Sequence, residues 1–157
     1  VRFGHDLSYN VSILSKGISM SAGEMIMRCF HARTAAHVAH LQTRSYAEHK
    51  ALNEFYDEIV DIADDFAETY QGIFGLITEY PGLSLPTGKA CDWIEAMRAW
   101  LKANREACCK GETTLENIHD TLSGLCASTC YKLRFLNSGE SAEHEAMEHG
   151  LMKMSKW

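Results

Sequence analysis

Five side chains along one acidic stretch have the types and spacing to hold a metal ion. His37 and His49 stand twelve residues apart, Asn53 follows four later, and Asp64 and Glu68 form a further pair four apart. Imidazole nitrogen and carboxylate oxygen together are the ligand set of iron, manganese and zinc. Residues 37–70 are otherwise rich in acids and poor in lysine, so the competing reading is a solvated helix face. A helical wheel at about 100° per residue separates the two. The apolar face of this segment is centred near Ile59 and its free surface near Glu54, Glu58 and Asp65. His49, Asn53, Asp64 and Glu68 share the flank between them. Such a border is where a helix meets a second neighbour, often another subunit, and carboxylates there need pairing, bonding or a ligand.

The elements that must position these groups are helices. Only two prolines occur, Pro81 and Pro86, in one segment, so long uninterrupted helices are expected elsewhere. Capping boxes, in which a Ser or Thr and a Glu three residues later satisfy each other's backbone N–H, mark starts at Ser21–Glu24, Ser45–Glu48 and Thr113–Glu116. An imperfect one follows at Ser141–His144. The pattern predicts helices over residues 22–42, 46–71, 89–110 and 114–136, with a short fifth over 142–154. Their expected buried stripes repeat at three and four residues. They are Ile26, Cys29, Phe30, Arg33 (stem), His37 and Leu41; Leu52, Phe55, Ile59, Ile62, Phe66 and Tyr70; Trp93, Ile94, Met97, Trp100, Leu101 and Cys108; and Leu115, Ile118, Leu122, Leu125, Thr129, Leu133 and Leu136.

The first two helices, like the last two, are joined by about three residues, so each pair is antiparallel. His37 then falls near His49. Residues 72–88 are too long for a tight turn and, extended, reach about 50 Å. Two antiparallel hairpins joined by one long crossover make a ferritin-like bundle; an up-down bundle with an unstructured loop is the competing topology. The apolar content of the loop predicts that it packs, with a short helix of its own.

Composition bounds the remainder. The chain has 157 residues, long enough for a sizeable core, and a formal charge of −6, which excludes a domain-wide basic footprint for nucleic acid. The six cysteines include an adjacent pair, Cys108 and Cys109, and a pair one turn apart, Cys126 and Cys130, with no CxxC. They read as thiols in a reducing, cytoplasmic compartment rather than as disulfides or a zinc site. No run approaches the length of a membrane span, and residues 1–19 lack the apolar core of a signal peptide. The expected organisation is an N-terminal extension (1–19), a four-helix bundle (20–136) and a C-terminal extension with a short helix (137–157).

The order His37, His49, Asn53, Asp64, Glu68, with small residues before the first histidine in "TAAH", resembles the ferroxidase signature of the Dps-type mini-ferritins. It looks closest to a divergent branch often encoded by bacteriophages. The resemblance covers residues 22–136. It implies an all-α, ferritin-like four-helix subunit assembled from dimers into a hollow dodecameric shell. The site it implies lies between chains, with His37, His49 and Asn53 from one and Asp64 and Glu68 from the other. There non-haem iron would be bound as Fe(II) and oxidised by peroxide or oxygen, with zinc or manganese as alternative metals. The catalytic residues so implied are His37, His49, Asp64 and Glu68. Asn53 stands where the family usually carries an acid, Val38 replaces an aromatic residue, the loop glycine is missing from "LQTRS", and the terminal extensions are not basic. A protein of this kind would act in the host cytoplasm or virion. The alternative is a bundle that kept the fold without the redox task, as a structural or interaction protein.

Other pairs read more plainly. His40 is expected as a neutral interface residue, Glu116 as a capping acid beside His119, Trp93 and Trp100 as core, and Asp57 and Asp61 as solvent-facing. The pairs at His144, Glu145, Glu148 and His149 are expected to carry no function. No P-loop, nucleophile elbow or dinucleotide glycine pattern occurs.

Overall fold

Lys110, just past the end of one helix, places its ammonium 4.0 Å from the ring of Phe74 and 4.9 Å from that of Tyr70, at the end of another. At the opposite end of the same two helices Phe55 meets Trp93 edge to face, with centroids 6.1 Å apart. The two helices therefore run parallel. The computed structural model describes residues 7–136, with side chains from residue 22 onward. It contains α1 (Leu7–Gln42), α2 (Tyr46–Phe74), α3 (Ala90–Cys109) and α4 (Thr113–Tyr131), which continues as a five-residue π-helical segment (Lys132–Leu136). The C-terminal helix expected over 142–154 lies outside the described residues, as does the box at Ser141. No described helix is long and apolar enough to cross a membrane.

Around the bundle the neighbours are α1–α2, α2–α4, α4–α3 and α3–α1, which leaves α2 and α3 on a diagonal. His40 meets His49 while His37 meets Tyr56, so α1 and α2 are antiparallel. Arg105 pairs with Glu116 and Asp120, and the Cys130 thiol lies 3.6 Å from the Cys91 carbonyl, so α3 and α4 are antiparallel too. The up-down alternative needs α2 and α3 antiparallel and is ruled out. Residues 75–89 must instead travel the length of the bundle. α3, of 20 residues, is about 30 Å long, and fifteen extended residues span about 50 Å.

That crossover carries no helix of its own, contrary to expectation. It packs through Ile77, which is buried, and through its backbone. The Gln71 side-chain oxygen accepts from the Ile77 N–H at 3.2 Å. A Cβ on Gly23 of α1 would overlap the Glu79 carbonyl oxygen, so only glycine lets the crossover lie this close. α2 runs past Gly72 and ends at Gly75, whose φ of 90° suits glycine.

The core stripes of α2, α3 and α4 fall where the spacing put them, with Ile62, Trp93, Trp100 and Ile118 packed at its margin. Leu136 is an exception, more than half exposed. α1 differs more. Its buried side chains are Ala22, Met25, Ile26, Cys29, Ala32, Ala35, Ala36 and His40, while His37 is half-buried and Leu41 is 72% exposed. Small alanines at 32, 35 and 36 let α1 approach its neighbours closely, and this rotates the buried stripe away from the larger Phe30 and Leu41. All six cysteines are free. Burial pushes the Cys29 thiol far up and those of Cys108 and Cys126 up to about 12, which leaves them protonated and unreactive at neutral pH.

Gly23→Ala is expected to destabilise the protein by about 1–3 kcal/mol, the usual cost of overpacking. Gly72→Ala, in open space on α2, should stabilise it by up to about 1 kcal/mol through helix propensity. Urea denaturation of both variants checks this. A gain at Gly23 would show that the crossover does not rest on α1.

Candidate functional site

Three residues turn the chain from α1 into α2, and one hydroxyl relay fixes the turn. The Ser45 side chain accepts from the Glu48 N–H at 3.2 Å, as a capping residue should. Glu48 does not reach back to Ser45 directly. The Ser45 N–H donates to the Thr43 hydroxyl at 3.1 Å, and that hydroxyl donates to the Glu48 carboxylate at 2.6 Å. The capping box is thus closed through Thr43. Neither of the other two boxes within the described residues caps a helix. α1 runs straight through Ser21, and Glu24 instead forms an ion pair with Arg28 at 2.7 Å. α4 begins at Thr113 behind Glu112, with no side-chain cap, and Glu116 is drawn to Arg105 at 2.9 Å. A charged partner one helix away outcompetes a local backbone N–H.

The tight α1–α2 turn stacks histidines. His40 and His49 lie ring on ring, with centroids 3.6 Å apart. His37 stacks on Tyr56 at 4.4 Å, and His40 meets both His37 and Tyr56 edge to face. The Nδ1 of His40 is 2.9 Å from the His49 carbonyl, and the Nδ1 of His49 is 3.1 Å from the His40 carbonyl. A carbonyl only accepts, so each ring carries its proton on Nδ1 and, when neutral, leaves a lone pair on Nε2. An imidazole held this way by a backbone carbonyl is oriented to act as a ligand through Nε2. His40, expected as a bland interface residue, is the buried partner that sets the tautomer of His49. Its position at an i, i+3 step from His37 was the sequence signal.

Further along α2 the remaining residues occupy the outer strip. Asn53 is half-buried and donates from its amide to the Asp57 carboxylate at 2.6 Å. Asp64 and Glu68 are exposed, and neither bonds to another described residue. Fifteen residues separate His49 from Asp64, which is about 22 Å along a helix. One chain therefore brings His37 and His49 to one end of the seam and leaves Asp64 and Glu68 away from them. Among the described residues of a single chain, no three His, Cys, Asp or Glu side chains converge on a point where a metal ion could sit.

A second polar cluster lies between α3 and α4. Arg105 binds Asp120 through two parallel hydrogen bonds of 2.8 Å, and also Glu116. Its guanidinium holds the Asp120 carboxyl below the usual range. His119, next in sequence, is almost fully buried, with neither ring nitrogen hydrogen-bonded to a described residue. The Glu116–His119 pair seen in the sequence is thus split between an ion pair and the core. At the base of α4, Lys132 pairs with Glu54 and Arg134 with Glu95, which ties the π-helical segment to α2 and α3.

A family of unknown function, DUF5856, matches residues 40–133. That span holds His40, His49, Asn53, Asp64 and Glu68 and stops short of His37. The chain is 37% identical over 59 residues to an uncharacterized 14.6 kDa protein of the mobD-ri intergenic region of Enterobacteria phage T4. The match covers 38% of this chain and 46% of that protein, so the chain spans about half the length of this relative. No solved structure matches.

Burial pushes the His119 pKa below its ordinary 6.5, with Asp120 opposing. The unfolded chain therefore takes up a proton that the folded chain refuses. Stability is full above about pH 7 and falls as pH drops through 6.5 toward the lower folded value. His119→Leu should flatten this slope between pH 7 and 5, read as the difference between parent and variant in urea unfolding. Parallel profiles would show that His119 is protonated without cost.

Proposed function

The chain belongs to DUF5856, a family of unknown function, and from that premise we propose that it is a divergent, ferritin-like protein of the Dps type. In this reading it pairs through α2 and takes up Fe(II) as substrate at a site shared by two chains. The observation that carries it is the spacing along the outer strip of α2. His49 and Glu68, and likewise Asn53 and Asp64, have residues 58–59 at their midpoint. An antiparallel pairing of two α2 helices about a two-fold axis there would set the histidine end of each against the acidic end of the other. The parallel α2–α3 arrangement and full-length crossover support the ferritin-like topology.

The donor set fits the task. His49 is held through its Nδ1, which leaves Nε2 as the ligating nitrogen, and His37 stands at the same end of the seam. Asp64 and Glu68 are unpaired carboxylates that balance the charge of the cation. Two Fe(II) ions would each give up one electron to one peroxide. Its O–O bond breaks, two protons are taken up and two waters leave. Oxygen is the alternative oxidant, and zinc or manganese would fit the same donors without that reaction. Pairs of this kind would build the larger, dodecameric shell.

A second reading has its own support. Asn53 supplies a neutral oxygen where the resembled family has an acid, and the relative is a bacteriophage protein. The bundle would then be a non-catalytic structural or interaction protein in the host cytoplasm or virion.

Mixing variants separates the two. Purified protein given Fe(II) and peroxide should develop ferric absorbance. His49→Ala and Asp64→Ala should each abolish it. Co-refolded in equal amounts they should recover roughly a quarter of the parental rate. Random pairing makes half the dimers mixed, and each mixed dimer has one intact site of two. Parental rates in both single variants would overturn the catalytic reading; no recovery on mixing would overturn the shared site.

A further inference from the structure

Five of the six cysteines are buried, and Cys91 alone keeps part of its surface in solvent. By spacing, Cys130 belongs with Cys126, one turn away on α4. The fold gives it another neighbour, Cys91 at the start of α3, 39 residues distant in the chain. The Cys130 thiol donates to the Cys91 carbonyl oxygen at 3.6 Å, and the two thiols are in hydrogen-bond contact with each other. Sulfurs that touch across two packed helices are within the reach of a disulfide.

The two thiols are not equivalent. Cys91 is the second residue of α3, where backbone N–H groups lack helical acceptors and carry partial positive charge. Arg134 donates to the Cys91 sulfur and is itself held by Glu95 at 3.2 Å. It reaches there from the π-helical segment that extends α4, and such turns recur at functional sites. Partial exposure, a helix start and a neighbouring arginine are the surroundings of reactive cysteines. Cys130 is buried, and burial pushes its thiol up, so that it keeps its proton. One sulfur is therefore open to a small reagent, and the second waits behind it.

We propose that Cys91 and Cys130 form a peroxide-reactive dithiol that closes to a reversible disulfide between the start of α3 and the end of α4. The Cys91 sulfur attacks one peroxide oxygen and the O–O bond breaks. The thiol proton leaves with the departing oxygen as water, and Cys91 becomes a sulfenic acid. The Cys130 sulfur then attacks the Cys91 sulfur and the S–O bond breaks. The hydroxyl takes the Cys130 proton and leaves as a second water. Two thiols have lost two electrons to one peroxide, and a dithiol reductant reverses the change. Arg134 is a positioning residue that faces the attacking sulfur. The pair uses no residue of α2, and nothing in it rests on the iron reading.

The reduced full chain, free of iron, is treated with hydrogen peroxide, digested with trypsin and read by mass spectrometry without reductant. Residues 90–98 should appear joined to residues 111–132 with the loss of two hydrogens, and dithiothreitol should release them. Fragmentation should place the bond on Cys130 and not on Cys126. Cys91→Ser should abolish the link. Cys130→Ser should also abolish it and leave Cys91 as a sulfenic acid that dimedone captures. Arg134→Gln should form the same link about tenfold more slowly, the effect of losing one hydrogen bond to a charged group. Cys91 oxidised to sulfinic acid while Cys130 stays a thiol would overturn the pairing, as would a Cys91–Cys91 link between chains. Oxidation of Cys29 or Cys108 as fast as that of Cys91 would overturn the site, and an unchanged rate in Arg134→Gln the role of Arg134.

Discussion

Everything in this bundle follows from α2 and α3 running parallel. Parallel helices cannot be joined by a short turn, so fifteen residues must cross the bundle end to end. That crossing is made in extended chain, whose backbone groups need partners or solvent. The backbone comes so close to α1 at Glu79 that residue 23 has no room for a side chain. The same crossing adds a third wall, through Leu83 and Pro86, over the α1–α3 groove, which turns an open helix interface into a cavity. It also keeps the crossover on the α1–α3 side and leaves the outer strip of α2 uncovered.

The α1–α2 seam shows how little sequence it takes to lock a functional group. A three-residue turn held by Thr43, Ser45 and Glu48 brings two imidazoles into contact. Reciprocal bonds to each other's backbone carbonyls then decide which nitrogen carries the proton in both rings. Each ring so held keeps Nε2 as its lone-pair nitrogen when neutral, the form in which an imidazole binds a metal.

The four helices and the short α1–α2 and α3–α4 junctions were legible in the sequence because loop length and three-four spacing report such constraints directly, while the start of α1 was not. The core of α2, with Leu52, Phe55, Ile59, Phe66 and Tyr70, follows from periodicity alone. α1 was misread in phase because its buried face is built of alanines, whose small size gives a weak hydrophobic signal but a close helix approach. The capping boxes at residues 21 and 113 were misread for another reason. A Ser or Thr three before a Glu is a local pattern, whereas Arg28 and Arg105 compete for the same carboxylates, and for Glu116 the competitor lies on another helix. His40 was undervalued because the carbonyl bonds that give it a role arise only when α1 and α2 are folded together. The cavity left no trace in the sequence, since its walls come from three separated segments.

Asn53 is where chemistry and sequence pattern part company, and its hydrogen bond bears on how much that matters. Its amide donates to Asp57 at 2.6 Å, which leaves its side-chain carbonyl oxygen as the free acceptor. An Asp at 53 would place two carboxylates together and oppose ionisation of one of them. The asparagine instead donates to the Asp57 carboxyl group, one helical turn along the same strip. In the proposed two-chain site the carboxyl group missing from position 53 would stand instead at 57, one turn away and joined to Asn53 through its amide. A cation drawn to His49 and the partner's Asp64 would meet a neutral oxygen ligand backed by a carboxylate. Such an arrangement would retain attraction for a metal but weaken charge compensation at the ligating atom itself.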